Sequence, residues 1–202
     1  QVAQRILDGE TLNLQVQDVH PGYISFVNAA ALGVFGIDLV SLRYPLALAG
    51  LLQAAVLFLL FPREDPWRAA VASVALTALG AIQFLNPTAH WYCLALTVAL
   101  MAVLGANRGP SPHSPRRLLT VGLLVGTIIL FRQLTGFLVG IGALAFLLWE
   151  AGDRGAHGRA ALLGRALVAT MVGMLAAYLV LATDTSGLVL FGVWPLALLG
   201  RL

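Results

Sequence analysis

From Arg43 onward the chain alternates between long apolar runs and short polar connectors. A hydrocarbon core about 30 Å thick needs roughly 20 apolar residues in a helix. On that measure the pattern predicts helices over Arg43–Phe61, Arg68–Leu85, Trp91–Ala106, Leu118–Phe131, Phe137–Trp149 and Ala166–Ala182. A further run, Leu188–Gly200, is interrupted by Pro195. The stretch ahead of them is different. Gln1–Tyr23 is polar, and Tyr23–Ile37 is apolar but short, carrying Ser25 and Asn28 and followed by Asp38 and Arg43. An interfacial helix lying on the outer leaflet fits Tyr23–Ile37, with Pro21 just ahead of it. The pattern therefore predicts an all-α chain. Residues 1–37 form an outer loop with interfacial helices, and 38–202 form a partial transmembrane bundle of about six to seven helices.

One run needs arithmetic. Leu118–Trp149 as a single helix has 32 residues and a length of about 48 Å, more than a bilayer accommodates. Two helices meeting at Arg132-Gln133-Leu134-Thr135-Gly136 fit better, each short for a full span, with Arg132 near or just below the outer interface.

Composition agrees with the pattern. Of 202 residues 59% are hydrophobic and only 10% are charged, against about a quarter charged in soluble domains. Mean hydropathy is +0.89. The net charge of +3 and pI near 9.6 do not indicate nucleic acid, because no basic stripe with interleaved aromatics is present. All 12 basic residues are Arg, and most fall in alternate connectors. Phe61–Arg68, Asn107–Arg117 and Ala151–Arg165 are Arg-rich, while Asn86–His90 and Thr183–Gly187 have none and the break at Arg132 has one. The positive-inside rule puts the loops at Arg63, Arg116 and Arg159 in the cytoplasm and the other set outside. Arg without Lys, with abundant Ala and Gly, points to a GC-rich bacterial genome and a multi-pass protein of the plasma membrane. Cys93, the one cysteine, can form neither an intrachain disulfide nor a zinc site. The chain opens on Gln1 and closes just after an apolar run, the ends expected of a fragment of a longer protein.

The outer side gathers the unusual chemistry: Asp8, Glu10, Asp18, His20, Asp38, Arg43, Asn86, His90, Trp91, Arg132, Gln133 and Asp184. The inner side holds Arg with a few neutralising acids, Glu64, Asp65, Glu150 and Asp153, and needs no role beyond topology. In the outer set Asp18-Val19-His20-Pro21 sets a carboxylate and an imidazole two residues apart just before the membrane body. Arg132 is a cation at membrane depth, where ionisable groups mark function. Plainer roles stand beside these. Asp18 also suits a helix entry, His20 a local hydrogen bond, Arg132 a snorkelling anchor, Arg43 a helix-start partner of Asp38, and His90-Trp91 an interfacial belt. Asp8-Gly9-Glu10 offers two acids in a loop, a weak basis for a metal.

Gln4-Arg5-Ile6-Leu7-Asp8-Gly9-Glu10, Asp18-Val19-His20-Pro21-Gly22-Tyr23, Phe35-Gly36-Ile37 and Arg43 follow one another in an order that resembles the first outer loop of polyprenyl-phosphate-dependent GT-C membrane glycosyltransferases. This group includes protein mannosyltransferases and aminoarabinose transferases. Phe131-Arg132-Gln133-Leu134-Thr135-Gly136 is similar to a further segment of that family. The sequence departs from the family pattern at Gly22, where a second proline is usual, and at Asn86-Pro87-Thr88-Ala89-His90-Trp91, where relatives often carry an acid. The resemblance implies a glycosyltransferase moving a sugar from a polyprenyl-phosphate donor to an acceptor on the outer face, with no nucleotide, metal or other cofactor. It places the main catalytic acid upstream of Gln1. Asp18 remains as a catalytic or acceptor-positioning carboxylate, and His20, Arg132, Gln133, His90 and Asn86 as substrate-binding residues. A carboxylate suits the base that deprotonates the acceptor hydroxyl, and a fixed cation suits the departing phosphate. The rivals are a transporter whose polar cluster lines a translocation path, and a membrane scaffold. Against the transporter, the polar cluster sits at one surface and no internal repeat is visible.

Overall fold

The computed structural model describes residues 2–12, 15–16, 23–60, 65–82, 86–106 and 115–151. Over these residues the chain is all-α. Its helices are α1 (Val2–Leu7), α2 (Tyr23–Phe35), α3 (Arg43–Leu60), α4 (Pro66–Ile82), α5 (Ala89–Ala106), α6 (Pro115–Phe131) and α7 (Gln133–Ala151). The expected helices Ala166–Ala182 and Leu188–Gly200, the loops at Arg63 and Arg159, and both Asp18 and His20 lie outside the described residues. Two of the helices, α3 and α7, are long and apolar enough to cross a membrane. In lipid every backbone N–H and C=O must be satisfied within the segment, and a helix does this by itself. Several hydroxyls inside the helices are satisfied in the same way. Ser73, Thr97 and Thr127 each donate at 2.7 Å to the carbonyl four residues back, those of Ala69, Cys93 and Leu123.

The chain divides into two compact units, Gln1–Gly105 and Ala106–Leu202. In the first unit α1 packs on α2 and α3 on α4. Helix α1 ends in a reciprocal cap on Gly9, whose φ of 91° suits a residue without a side chain. Gly9 N–H donates to Ile6 C=O at 3.1 Å and Glu10 N–H to Arg5 C=O at 3.0 Å, so two of the last carbonyls are satisfied. Helix α2 also ends on a left-handed glycine, Gly36 with φ 98°, whose N–H donates to the Leu32 C=O at 3.0 Å. Its 13 residues reach about 20 Å, too short to cross the bilayer. Leu7 of α1 lies against Gly33 of α2: a methyl group added at Gly33 would sit 3.3 Å from the Leu7 side chain. The rings of Phe35 and Tyr44, 4.7 Å apart between centroids, tie the end of α2 to the start of α3.

Helix α4 begins two residues earlier than the hydropathy pattern predicts. Asp65 accepts the Arg68 N–H at 3.1 Å and its C=O takes the first helical bond, from Ala69. It is an N-cap, with Pro66 at the first helical position, where its missing N–H is no loss. The Asp65 carboxylate also pairs with the Arg68 guanidinium at 2.9 Å. Among the described residues the ion pairs are this one, Arg5–Glu10 and Arg117–Glu150. The expected Arg43–Asp38 pair is not among them; Asp38 instead accepts the Val40 N–H at 3.4 Å in the turn before α3. Cys93 is buried in α5.

In the second unit α6 and α7 fold back on one another. The Arg117 guanidinium near the start of α6 meets the Glu150 carboxylate near the end of α7 at 2.7 Å. Two residues 33 apart cannot meet along one straight helix, which separates them by about 50 Å. The two-helix reading therefore holds, but both helices are longer than expected. α6 has 17 residues and α7 has 19, and Arg132 alone separates them. Gly136 makes this possible. A Cβ there would fall 2.4–2.6 Å from the side chain and backbone of Ile129. At Gly140 a Cβ would meet Val125 at 3.1 Å. Gly122, Val125, Gly126, Ile129, Ala143 and Leu147 are buried. Small residues let helix backbones approach in lipid, where apolar neighbours offer no hydrophobic drive of their own.

Candidate functional site

The expected site residues fall in three places. The first is the mouth of α5. The segment Asn86-Pro87-Thr88 turns sharply, with the Thr88 N–H on the Asn86 C=O at 2.8 Å, and the Trp91 N–H then reaches the Thr88 C=O at 3.3 Å. Pro87 disfavours a helical Asn86 and Thr88 stands at the N-cap position of α5, so the sequence itself sets this turn. Around it lies an open cleft of about 420 Å³ lined by Asn86, Thr88, His90, Trp91 and Leu94. The structure brings Asn86 and His90 to one cleft with Thr88, Trp91 and Leu94. Thr88 and Leu94 carried no signal in the sequence. Leu94 joins because one helical turn separates it from His90 and Trp91, and i, i+3 and i, i+4 positions share a face.

The second place is the tip of the α6–α7 hairpin. The Arg132 N–H donates to the Ile128 C=O at 2.8 Å, and its C=O accepts from the Gly136 N–H at 2.9 Å. The N–H and C=O of Arg132 are thereby satisfied, and its half-buried side chain is not used to cap them. Gln133 beside it is exposed. The neighbours that follow, Leu134, Phe137, Leu138 and Ile141, are exposed and apolar. At the far end of the hairpin, about 25 Å away along the 17 residues of α6, Arg117 is buried against Glu150 while Arg116 is exposed. Sequence reasoning assigned Glu150 only to charge balance. The periodicity held no sign of its partner, because the pairing depends on where the hairpin closes.

The third place is the polar head. Asp18 and His20 lie outside the described residues. Among the described residues of the head, Arg5 pairs with Glu10 and donates to the Gln15 C=O at 3.2 Å. Gln15 in turn accepts the Thr11 N–H at 2.8 Å. Glu10 is thus held by a guanidinium. Tyr23 opens α2, and burial pushes its phenol above its ordinary range, which keeps it a neutral hydrogen-bonding group.

A family model described as dolichyl-phosphate-mannose-protein mannosyltransferase matches residues 19–176. The chain belongs to this family. No curated protein and no solved structure matches it. The family match runs from the residue before His20 through every helix from α2 to α7, and it includes Asn86, His90, Arg132 and Gln133; Asp18 lies one residue ahead of it. As a member of the mannosyltransferase family the chain is a membrane glycosyltransferase, multi-pass and integral to the bilayer, and its donor is a sugar carried on a polyprenyl phosphate.

Proposed function

We propose that this mannosyltransferase-family chain transfers its sugar on the outer face of a bacterial plasma membrane, with Arg132 holding the phosphate of the polyprenyl donor. The observation that carries the reading is the α6–α7 turn. It leaves one half-buried guanidinium at the end of an apolar hairpin, with exposed apolar side chains beside it. A lipid phosphate needs a fixed cation and an apolar surface for its tail, and the Arg132 guanidinium beside exposed Leu134, Phe137 and Leu138 supports that reading. Positive charge placed where phosphate charge develops lowers the barrier to its departure. Gln133 adds a neutral donor beside it. Asp18 and His20 act on the acceptor hydroxyl as base or positioning group, and Asn86 and His90 contact substrate. Residues 1–37 form the outer loop with its interfacial helices, and 38–202 the bundle.

The direct test uses the full-length enzyme in proteoliposomes with polyprenyl-phosphate mannose, the donor class in the family's description. Arg132→Ala should lower transfer at least tenfold while expression and insertion stay intact. Arg132→Lys should recover part of the activity, because the charge survives although the planar fork is lost. Undiminished turnover in Arg132→Ala would reduce Arg132 to an interface anchor. The outer location has its own test. In a Cys93→Ala background, Ser114→Cys and Thr88→Cys should react with an impermeant maleimide from opposite sides of the membrane. Reaction of both from outside would overturn the orientation.

A further inference from the structure

The cleft at the mouth of α5 has a composition that singles out one kind of occupant. Its lining joins an indole, Trp91, and an aliphatic side chain, Leu94, with three small polar groups: the amide of Asn86, the hydroxyl of Thr88 and the imidazole of His90. Among the described residues its lining contains no Arg, Asp or Glu. A phosphate calls for a fixed cation or a ring of converging backbone N–H groups, and a bare isoprenoid tail gains nothing from an amide and an imidazole. A sugar ring has both halves of what the cleft offers. Its axial C–H face is apolar and suits an aromatic face, and its rim of hydroxyls both donates and accepts. An amide does both as well, as does a neutral imidazole through its two nitrogens. The volume of about 420 Å³ lies in the range of small-molecule sites. The turn at Pro87 and the start of α5 carry these residues on one short segment.

We infer that the Asn86–Leu94 cleft is a sugar-binding subsite, in which Trp91 is the platform for an uncharged sugar ring and Asn86 and His90 take its hydroxyls. This deepens the glycosyltransferase reading and rests on it. The subsite recognises the sugar, not the phosphate, so it separates binding of a sugar-loaded lipid from binding of the bare carrier. The ring belongs either to the polyprenyl donor or to a glycan on the acceptor.

The test uses the full-length enzyme in detergent or nanodiscs. With the Cys93→Ala background, Thr88→Cys places a thiol in the cleft wall, and its rate of maleimide modification reports occupancy. Protection by polyprenyl-phosphate mannose but not by polyprenyl phosphate assigns the cleft to the donor sugar. Protection by methyl α-mannoside alone at millimolar concentration assigns it to a sugar presented from solution. Equal protection by polyprenyl phosphate, or protection by none of the three, overturns the inference. In parallel, Trp91→Ala should weaken binding of the protecting sugar ligand about tenfold, with Trp91→Phe close to wild type. Affinity for bare polyprenyl phosphate should be unchanged in both. The two readings fail separately. A wild-type enzyme that transfers sugar normally beside an indifferent Trp91→Ala refutes the subsite alone, whereas a wild-type enzyme that transfers no sugar from any polyprenyl-phosphate donor refutes the glycosyltransferase reading.

Discussion

Two helix pairs in this protein solve the same problem in different ways. α3 and α4 are joined by five residues, and at their contact a Cβ on Gly50 would lie 3.5 Å from the Thr77 methyl, an ordinary packing distance. Gln53 and Ser73 are buried, and no ion pair joins α3 to α4 among the described residues. α6 and α7 are joined by one residue. Their contact is closer than any side chain at Gly136 permits, and the open end is fastened by an ion pair in which the Arg117 side chain is 1% exposed. In water both pairs would gain from burying apolar surface. In lipid that gain is absent, so contact quality and polar fastening decide how firmly a pair holds. The first pair relies on ordinary contact and tolerates change. The second depends on a glycine and a charge pair and does not. The rigid pair is the one that carries Arg132 at its turn.

The sharpest way to break this contrast is Gly136→Ala. The added methyl meets backbone atoms that cannot rotate away, so we expect a loss of about 3 kcal/mol or more. It should appear as loss of the monodisperse folded protein in detergent. Gly140→Ala, which meets only the Val125 side chain, should cost far less. Equal stability of Gly136→Ala and wild type would mean that the helices do not approach this closely.

Glu150→Ala comes next. It removes the carboxylate that pairs with the buried Arg117 guanidinium, a change that costs about 3–5 kcal/mol where a pair is fully buried. Glu150 is 22% exposed, so the lower end of that range is expected. The double variant Arg117→Met with Glu150→Leu should recover most of the loss, because well-packed apolar residues replace a buried pair at little cost. Thermal unfolding in detergent reads both. A double variant as unstable as Glu150→Ala would show that the charges themselves hold the hairpin end.

The smallest effect belongs to the looser pair. The Thr77 hydroxyl is buried and accepts or donates no hydrogen bond, while its methyl makes the contact with Gly50. Thr77→Val keeps the shape and removes an unsatisfied polar atom. It should therefore be neutral or slightly stabilising, within about 1 kcal/mol. A clear destabilisation would reveal a polar function for the α3–α4 interface and would weaken the contrast with α6–α7.

Particular elements show why parts of this protein were open to reading and others closed. Hydropathy located α3 to within one residue at Leu60, because a span must be apolar along its whole length. It missed the start of α4, since Asp65 and Pro66 are polar punctuation that belongs to the helix only through hydrogen bonding. It divided Leu118–Trp149 correctly by length but left a five-residue break, where the chain uses one. Asn86 and His90 were visible as polar groups in a connector without Arg. That they line one cleft with Thr88, Trp91 and Leu94 was not, because a cleft is a property of surfaces that the chain order does not list side by side.

The sequence by itself determined the class, the membrane setting, the family and the position of the turn at Arg132. Each follows from local composition: apolar length against bilayer thickness, the alternation of Arg-rich connectors, and motifs in a fixed order. The tertiary structure alone decided that Gly136 must be glycine, that Glu150 exists for Arg117 and that five residues at the mouth of α5 enclose one cleft. These depend on which atoms come within a few ångströms when helices fold back. The free energy of such contacts falls off over that distance, and a one-dimensional pattern carries no record of it.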